Sequence, residues 1–553
     1  MIQSTFPTSS RNPRQNASEQ TDVLVIGGGP AGAWAAIAAA AKGARVRLYE
    51  KGFFGTSGAT APSGNSIWYV PDQGGQREAA KASRYDFGGR LAEHAWMDRV
   101  LEQTWQNIHQ LSEWGYPFPV DEAGQLRGES LQGPEYMRIM RKAAKAHGVR
   151  IFDHSPALEL LTDRTGQVCG AAGLSRQKNT RWSVQAGAVI LATGGCAFLS
   201  KALGCNVLTG DGYLFAAEVG AEFSGMEFSN SYGLGPAFSS VTKSLFYHWA
   251  TFYDERGVEI AGAGSSHGRG VIAQHLQSGK VYARLDKADG IVQAWMRNAQ
   301  PNFFVPLDRL GIDPFTQRFE VTLRLEGTVR GTGGINVIGA DCATSVPGLY
   351  AAGDAATREL ICGGFTGGGS HNAGWAMSSG LWAGHGAADF ALQHRSEGQA
   401  AQDLFGAGTV ALQDGGGPVY PVAQAIDKVQ REVFPTAKNW FRHGDALEDS
   451  LHHLDDLWTQ LRGSAPVEDA QALLRSREAA AMAMSARLMY RSAQARTETR
   501  GMARRKDFAA LDPAQRYRLI SHGLDEITLR RQAVLDRATA AASSGRTQVG
   551  AAA

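Results

Sequence analysis

The chain has 553 residues, enough for a large core divided over several domains, and a formal charge of only +2. That balance argues against a broad basic field and so against nucleic-acid binding. Five cysteines without a Cys-x-x-Cys pair argue against an internal iron–sulfur cluster, a zinc site or c-type haem, and they suit a reducing compartment.

The first 20 residues are polar and lack an apolar signal core, so 1–20 is predicted as a disordered tail. Thr21 to Ile26 reads as a buried strand. It runs into the turn Gly27-Gly-Gly-Pro-Ala-Gly32 and an alanine-rich helix to Ala41. Glycines 27, 29 and 32 fill the G-x-G-x-x-G pattern, which lets a backbone turn approach a pyrophosphate at a helix N-terminus. A second strand, Ala44 to Glu50, ends in an acid 18 residues beyond Gly32, where a ribose-binding carboxylate is expected. The loop Gly52 to Ser66 is built of small residues that can press against a flat or anionic ligand.

Helical periodicity follows over 91–114 and 135–147. Short strands are predicted from Gly148 to Asp153, Ala157 to Leu161, Gln167 to Leu174 and Trp182 to Gln185. A buried strand then enters the turn Ala192-Thr-Gly-Gly195. Residues 223–335 change character and read as an inserted domain. Its aromatic run Phe246-Tyr-His-Trp249 with Phe252 and Tyr253 either lines a pocket for a flat substrate or forms that domain's core. The nucleotide fold resumes at Ile335 and at Gly348 to Asp354. A glycine cluster from Gly363 to Gly369 then opens a helix from Ser370 to about Phe390. From about 420 to 535 the pattern is helical, and 539–553 is a tail of small residues. No apolar run reaches the roughly 20 residues that span a bilayer, so the sequence predicts a cytoplasmic protein without membrane insertion.

In family order, these segments resemble the flavoprotein superfamily of succinate dehydrogenase, fumarate reductase, L-aspartate oxidase and the adenylylsulfate reductase flavin subunit. The matches include the glycine turn, Glu50-Lys51, Thr56 to Gly64, Thr209-Gly-Asp-Gly212, Met226-Glu-Phe228, Pro347 to Asp354 and Arg496-Thr-Glu-Thr-Arg-Gly501. Ser378-Ser379-Gly380 is somewhat closer to the adenylylsulfate reductase branch. The basic run from Arg496 to Lys506 either docks a partner or forms a solvated or intramolecularly paired helix face.

The resemblance implies an α/β fold: a Rossmann-like FAD-binding domain in two parts (21–222 and 336–405), an inserted α+β cap (223–335) and a C-terminal helical domain (420–535). It also implies FAD. Gly27, Gly29 and Gly32 would carry the pyrophosphate, with Ala31 beside them, and Glu50 would hold the ribose, with Lys51 next to it. Thr56, Ser57, Ser63 and Gly64 would lie along the pyrophosphate and isoalloxazine, and Ala157 would meet the adenine. Ala192, Thr193, Gly194 and Asp211 would complete the cradle, with Gly353 and Asp354 at the ribityl end. Ser370, Asn372 and Ala373 would set a helix N-terminus against flavin N1 and O2, where reduced flavin carries negative charge. The FAD is expected to be non-covalent, because no histidine precedes His94.

The dicarboxylate-binding positions of the family depart from its pattern. Its Glu-Phe-x-Gln-Phe-His segment aligns with Glu227 to Tyr232, so tyrosine replaces histidine. Its Arg-Asp-x-x-x-Arg helix, read with the last arginine as the proton carrier, aligns with Arg269 to Gln274, so glutamine replaces arginine. Two further positions fall on Val329 and near Gly367. Such a set offers no fixed charge to two carboxylates and no proton carrier, which argues against succinate, fumarate or aspartate. Arg330, Arg358 and Lys243 are the compensating cations considered. His371 is read either as the proton-transfer group or as a flavin ligand, and Tyr232 either as a substrate donor or as a packed aromatic. Arg330, His371, Tyr232 and Gln274 are thus the expected catalytic set.

The function expected is an FAD-dependent oxidoreductase that passes hydride between a small organic substrate and flavin N5. The alternative is an electron-transfer subunit that works with a ferredoxin-like iron–sulfur partner. No metal site is expected, and the oligomeric state is left open.

Overall fold

The computed structural model describes residues 13–14, 19–242, 244–265, 268–366, 370–395 and 403–535. Lys243, Gly367, the tail 539–553 and most of 1–20 lie outside them.

The centre is a parallel sheet made from the predicted strands. Glu19–Ile26 pairs with Val46–Tyr49 on one side and Thr180–Leu191 on the other; Arg150–Phe152 and Leu349–Ala351 extend it. Val23, Leu24 and Val25 are fully buried, as befits a strand covered on both faces. The register aligns the strand ends: Ile26 lies opposite both Tyr49 and Leu191, and Leu191 lies opposite Ala351. The residues that follow, Gly27, Glu50, Ala192 and Ala352, therefore emerge at one edge. The carboxyl edge of a parallel sheet is where ligands bind in this architecture. The other half of Thr180–Leu191 continues into an antiparallel layer with Val168–Ser175 and Ala157–Thr162.

Helices Pro30–Ala41 and Ser370–Arg395 pack with almost no side chain between them. A Cβ on Gly380 would sit 2.4 Å from the Ala31 carbonyl oxygen, and one on Gly384 would sit 2.3 Å from that of Ala35. This glycine and alanine seam lets the second helix lie beside the glycine turn. The periodic stretches near 91–114 and 135–147 form helices His94–Glu113 and Gly133–Ala146.

The insert is a four-stranded antiparallel sheet, Ser231–Pro236, Phe319–Gly327, Val281–Arg284 and Thr251–Tyr253 in spatial order, with three helices. The aromatic run packs into its core. Phe246 meets Phe303 edge to face at 5.2 Å, and Phe252 and Phe304 are buried with them.

Residues 420–535 are not helical throughout. Helices Val422–Val433, Gly444–Arg462 and Ala470–Ala495 are followed by a hairpin, Tyr517–His522 with Thr528–Ala533. The hairpin pairs with Phe223–Ser224 at the entrance to the cap. Three arginines of the basic run after Ala495 are paired within the chain: Arg496, Arg500 and Arg505 are buried on carboxylates and carbonyls, while Lys506 is exposed. All five cysteines are free and buried, and burial pushes the Cys169 and Cys196 thiols up to about 12.

Candidate active site

A cavity of about 630 Å³ opens at the carboxyl edge of the sheet and runs beneath the cap. At one end lie Gly27, Gly29, Glu50 and Ala157. Gly27 has φ +109°, and a Cβ there would lie 2.2 Å from the Ala192 carbonyl oxygen. Gly32 does not line the cavity; its missing Cβ lets the helix approach, since that atom would stand 1.9 Å from the Gly27 oxygen. At Gly29 nothing lies within 4 Å of a Cβ, so the bare backbone faces open space.

Glu50 is buried and accepts from the Gly28 N–H at 2.6 Å and the Gly52 N–H at 2.7 Å. Burial pushes its carboxyl above the ordinary value, against the pull of those donors and of Lys51. The Lys51 ammonium bonds Asp211 at 2.8 Å, Glu478 at 2.6 Å and Thr209 at 2.8 Å. Burial opposes its charge, but the two carboxylates override that and hold its pKa above the usual.

Ala192, Thr193, Gly194 and Asp211 line the same cavity as Ser57, Gly64 and Asn65. Thr56 is exposed and Ser63 donates to the Ala59 carbonyl at 2.9 Å; neither lines the cavity, whereas Thr60, Asn65 and Ser66 do. Gly353 and Asp354 follow. Asp354 accepts from Arg358 at 2.6 Å, and that buried guanidinium also holds the Thr328 and Gly331 carbonyls. Arg358 therefore ties loops together and offers no charge to a substrate.

The helix Ser370–Arg395 starts against the cavity with Ser370, Asn372 and Ala373. The N–H groups of a first helical turn lack intrahelical partners and favour negative charge. Asn372 donates to the Val329 carbonyl at 3.2 Å, and its buried Oδ1 has no hydrogen-bond partner among the described residues. His371 is not among the lining residues. Its ring packs on Trp68 with centroids 4.2 Å apart, and its Nδ1 lies 3.1 Å from Ser370 Oγ.

The cap end corrects the expected catalytic set. Arg330 lines the cavity, but Tyr232 and Gln274 do not. Tyr232 is buried against Trp440, and its hydroxyl donates to the Val433 carbonyl at 2.9 Å and the Phe434 carbonyl at 3.2 Å. Gln274 is exposed on the helix Gly268–His275, whose Arg269 lines the cavity instead. Five residues turn an α-helix by about 500°, or roughly 140° around its axis, so one helix cannot present both to the same face. Of the two ends of this segment, Arg269 is the one that lines the cavity. The cavity thus has a fixed cation that the sequence reading withheld.

Arg269 opens into the cavity while protein crowds its flanks. Burial lowers its pKa, Arg330 pushes the same way and Glu326 opposes both. Arg330 contacts the fully buried Glu326 at 3.3 Å, and Thr242 donates to the other oxygen of Glu326 at 2.9 Å. Leu245, Phe246 and Trp295 complete this end. Sequence reasoning missed Thr242 and Trp295 as lining residues, because the cap's fold alone brings them there.

The donor set fits FAD. Bare backbone at Gly29, a buried acid at Glu50, a helix N-terminus at Ser370 and the unpartnered Asn372 oxygen lie along one long cavity. Among the described residues no group of three acidic, histidine or cysteine side chains could hold a metal, and no helix is long and apolar enough to cross a membrane.

Residues 22–231 match the FAD binding domain family, and residues 431–535 match the family described as fumarate reductase flavoprotein C-terminal. The chain is 25% identical over 538 residues to the L-aspartate oxidase of Streptomyces coelicolor, covering 89% of each chain. The fold is similar to that of the E. coli quinol fumarate reductase flavoprotein (TM-score 0.76, 20% identity, 94% of this chain and 97% of that one). It is similar also to adenylylsulfate reductase from Archaeoglobus fulgidus (TM-score 0.72, 19% identity, 96% and 99%). With its α/β nucleotide domain, cap and helical C-terminal region, the chain is an FAD-dependent oxidoreductase that resembles the succinate dehydrogenase, fumarate reductase and L-aspartate oxidase flavoproteins.

Proposed function

We propose that this flavoenzyme oxidises or reduces a small organic anion seated under the cap, with Arg269 as its principal ligand. One observation carries the reading: Arg269 and Arg330 line the same cavity as the N-terminus of the helix Ser370–Arg395. Bound FAD supplies a two-electron hydride acceptor or donor. In this reading Glu50 takes ribose hydroxyls, Gly27 and Gly29 let the backbone reach the pyrophosphate, and Asn372 orients the flavin edge. Arg269 pairs with the substrate's acid group as a fixed cation. Glu326 holds Arg330, whose side chain lines the cavity beside Arg269. Succinate, fumarate and aspartate stay outside the proposal, because Glu326 already holds Arg330 and leaves Arg269 as the cation for a single acid group.

The test is anaerobic mixing of the oxidised protein with organic acids and their neutral alcohol or amide analogues while flavin bleaching is followed. An acid should bleach it and its neutral analogue should not. Equal bleaching by the neutral analogue, or rapid bleaching by succinate, overturns the reading. A second reading, electron exchange with a separate ferredoxin-like iron–sulfur protein, is favoured by the match of residues 431–535 to a fumarate reductase flavoprotein family. Its test is co-purification of an iron–sulfur protein with the tagged chain.

A further inference from the structure

We infer that the substrate is a monocarboxylate with a flat apolar body, such as an aryl-substituted short-chain acid. This rests on the flavin-dependent reading above and deepens it.

The cap offers the cavity two kinds of surface. The first is charged. Arg269 and Arg330 contribute two guanidiniums, and the fully buried Glu326 at 3.3 Å from Arg330 offsets one of them. Among the described residues this leaves one net positive charge at the cap end, which matches one acid group. An acid group that leaves water for this cavity needs such a cation to offset its lost hydration.

The second surface is apolar, formed by Leu245, Phe246, Trp295 and Ala299. Leu245 is 62% exposed and Trp295 46% exposed, although both face the cavity. Ile291, 84% exposed, lies one helical turn before Trp295, and Ala299 lies one turn after it. Large apolar side chains left open in a row at a cavity mouth mark a surface that a ligand covers. The wall is also held in place. Trp295 packs on Phe246 at 5.8 Å and on Trp249 at 5.9 Å, and Phe246 is anchored edge to face on Phe303. A second carboxylate against this wall would lose its water and meet only neutral donors, from Trp295, Ser244 and Gln300, with no cation. A planar apolar body would gain contact with Trp295 and Phe246 and displace water from Leu245.

The probe is trans-cinnamate, with succinate and benzyl alcohol as controls. Each is titrated into the FAD-loaded protein by calorimetry and by the flavin absorbance shift. Cinnamate should bind at least tenfold more tightly than either control, since succinate lacks the apolar body and benzyl alcohol the charge. Trp295→Ala should weaken cinnamate at least tenfold and leave succinate unchanged, while Trp295→Phe should restore most of the loss. Leu245→Ala, at an open position that no core contact requires, should weaken cinnamate in the same direction. Succinate binding as tightly as cinnamate overturns the inference, and so does cinnamate affinity indifferent to both alanine variants. A yellow protein silent to cinnamate defeats this inference alone. A chain that takes up no flavin defeats the parent reading as well.

Discussion

Arg496 donates to Glu227 at 2.8 Å, and both side chains are fully buried. The pair joins the segment after the last long helix to the loop that leads into the cap. Glu498 bridges Arg496 at 2.9 Å and Arg500 at 2.5 Å, so these two arginines are spent inside the protein. Removing one partner of a buried pair leaves an uncompensated charge, which costs about 3–5 kcal/mol. Arg496→Met should lower stability by that order in chemical denaturation. The double variant Arg496→Met with Glu227→Gln should recover part of the loss.

Glu359 belongs to the same cluster. Its Oε2 accepts from Ser224 at 2.5 Å, and its Oε1 and Glu227 Oε2 have no hydrogen-bond partner among the described residues. Burial and then the Glu227 charge push the Glu359 carboxyl up to about 8. The folded protein therefore holds a proton that the unfolded chain releases near its ordinary value of 4.5. Stability from this group is complete below that value and is lost as pH rises through about 8. Glu359→Gln should flatten this decline. Thermal midpoints of the two proteins should nearly coincide at the acid end and diverge toward pH 8, with the variant the more stable.

The nucleotide half of the site was legible because its geometry is local. A strand, three spaced glycines, a helix and an acid fix their own relative positions once the parallel register is formed, so Gly27, Gly29 and Glu50 fall on the cavity. The cap half was not legible. Thr242, Arg269 and Trp295 reach the cavity through the cap's own sheet and helices, and no local spacing announces that. Tyr232 occupies the position of a substrate ligand in the family pattern, yet two backbone carbonyls of the C-terminal helical region take its hydroxyl. The strand Tyr517–His522 escaped notice for a related reason: its partner Phe223–Ser224 lies almost 300 positions earlier, and pairing at that range leaves no periodic trace in the segment itself.

Arg269 and Gln274 make a matched test of the helix phase. Arg269→Ala removes the cation that opens into the cavity and should lower kcat/KM for the acid substrate by about 10²–10³-fold, the usual range for deleting one charged or oxyanion-stabilising donor. Gln274→Ala alters an exposed side chain and should leave kcat/KM within twofold of the parent, given that surface changes are usually neutral. Rates of anaerobic flavin bleaching measure both. A large loss in the glutamine variant with an unaffected arginine variant would restore the phase read from the family pattern.

The glycines of the turn separate folding from cofactor binding. Gly27 adopts φ +109° against the Ala192 carbonyl, so Gly27→Ala should cost more than about 1 kcal/mol and reduce soluble yield. Gly29 has extended backbone at φ −72° and ψ −177° and open space where a Cβ would go. Gly29→Val should therefore fold with a near-parental circular dichroism spectrum and fill the room a pyrophosphate needs. Its purified form should be colourless, with a flavin-to-protein absorbance ratio below a tenth of the parent's. The parent itself should release its yellow flavin into the supernatant on acid precipitation, because no histidine lies ahead of His94 to anchor it. Flavin retained in the pellet would mean a covalent bond to another side chain.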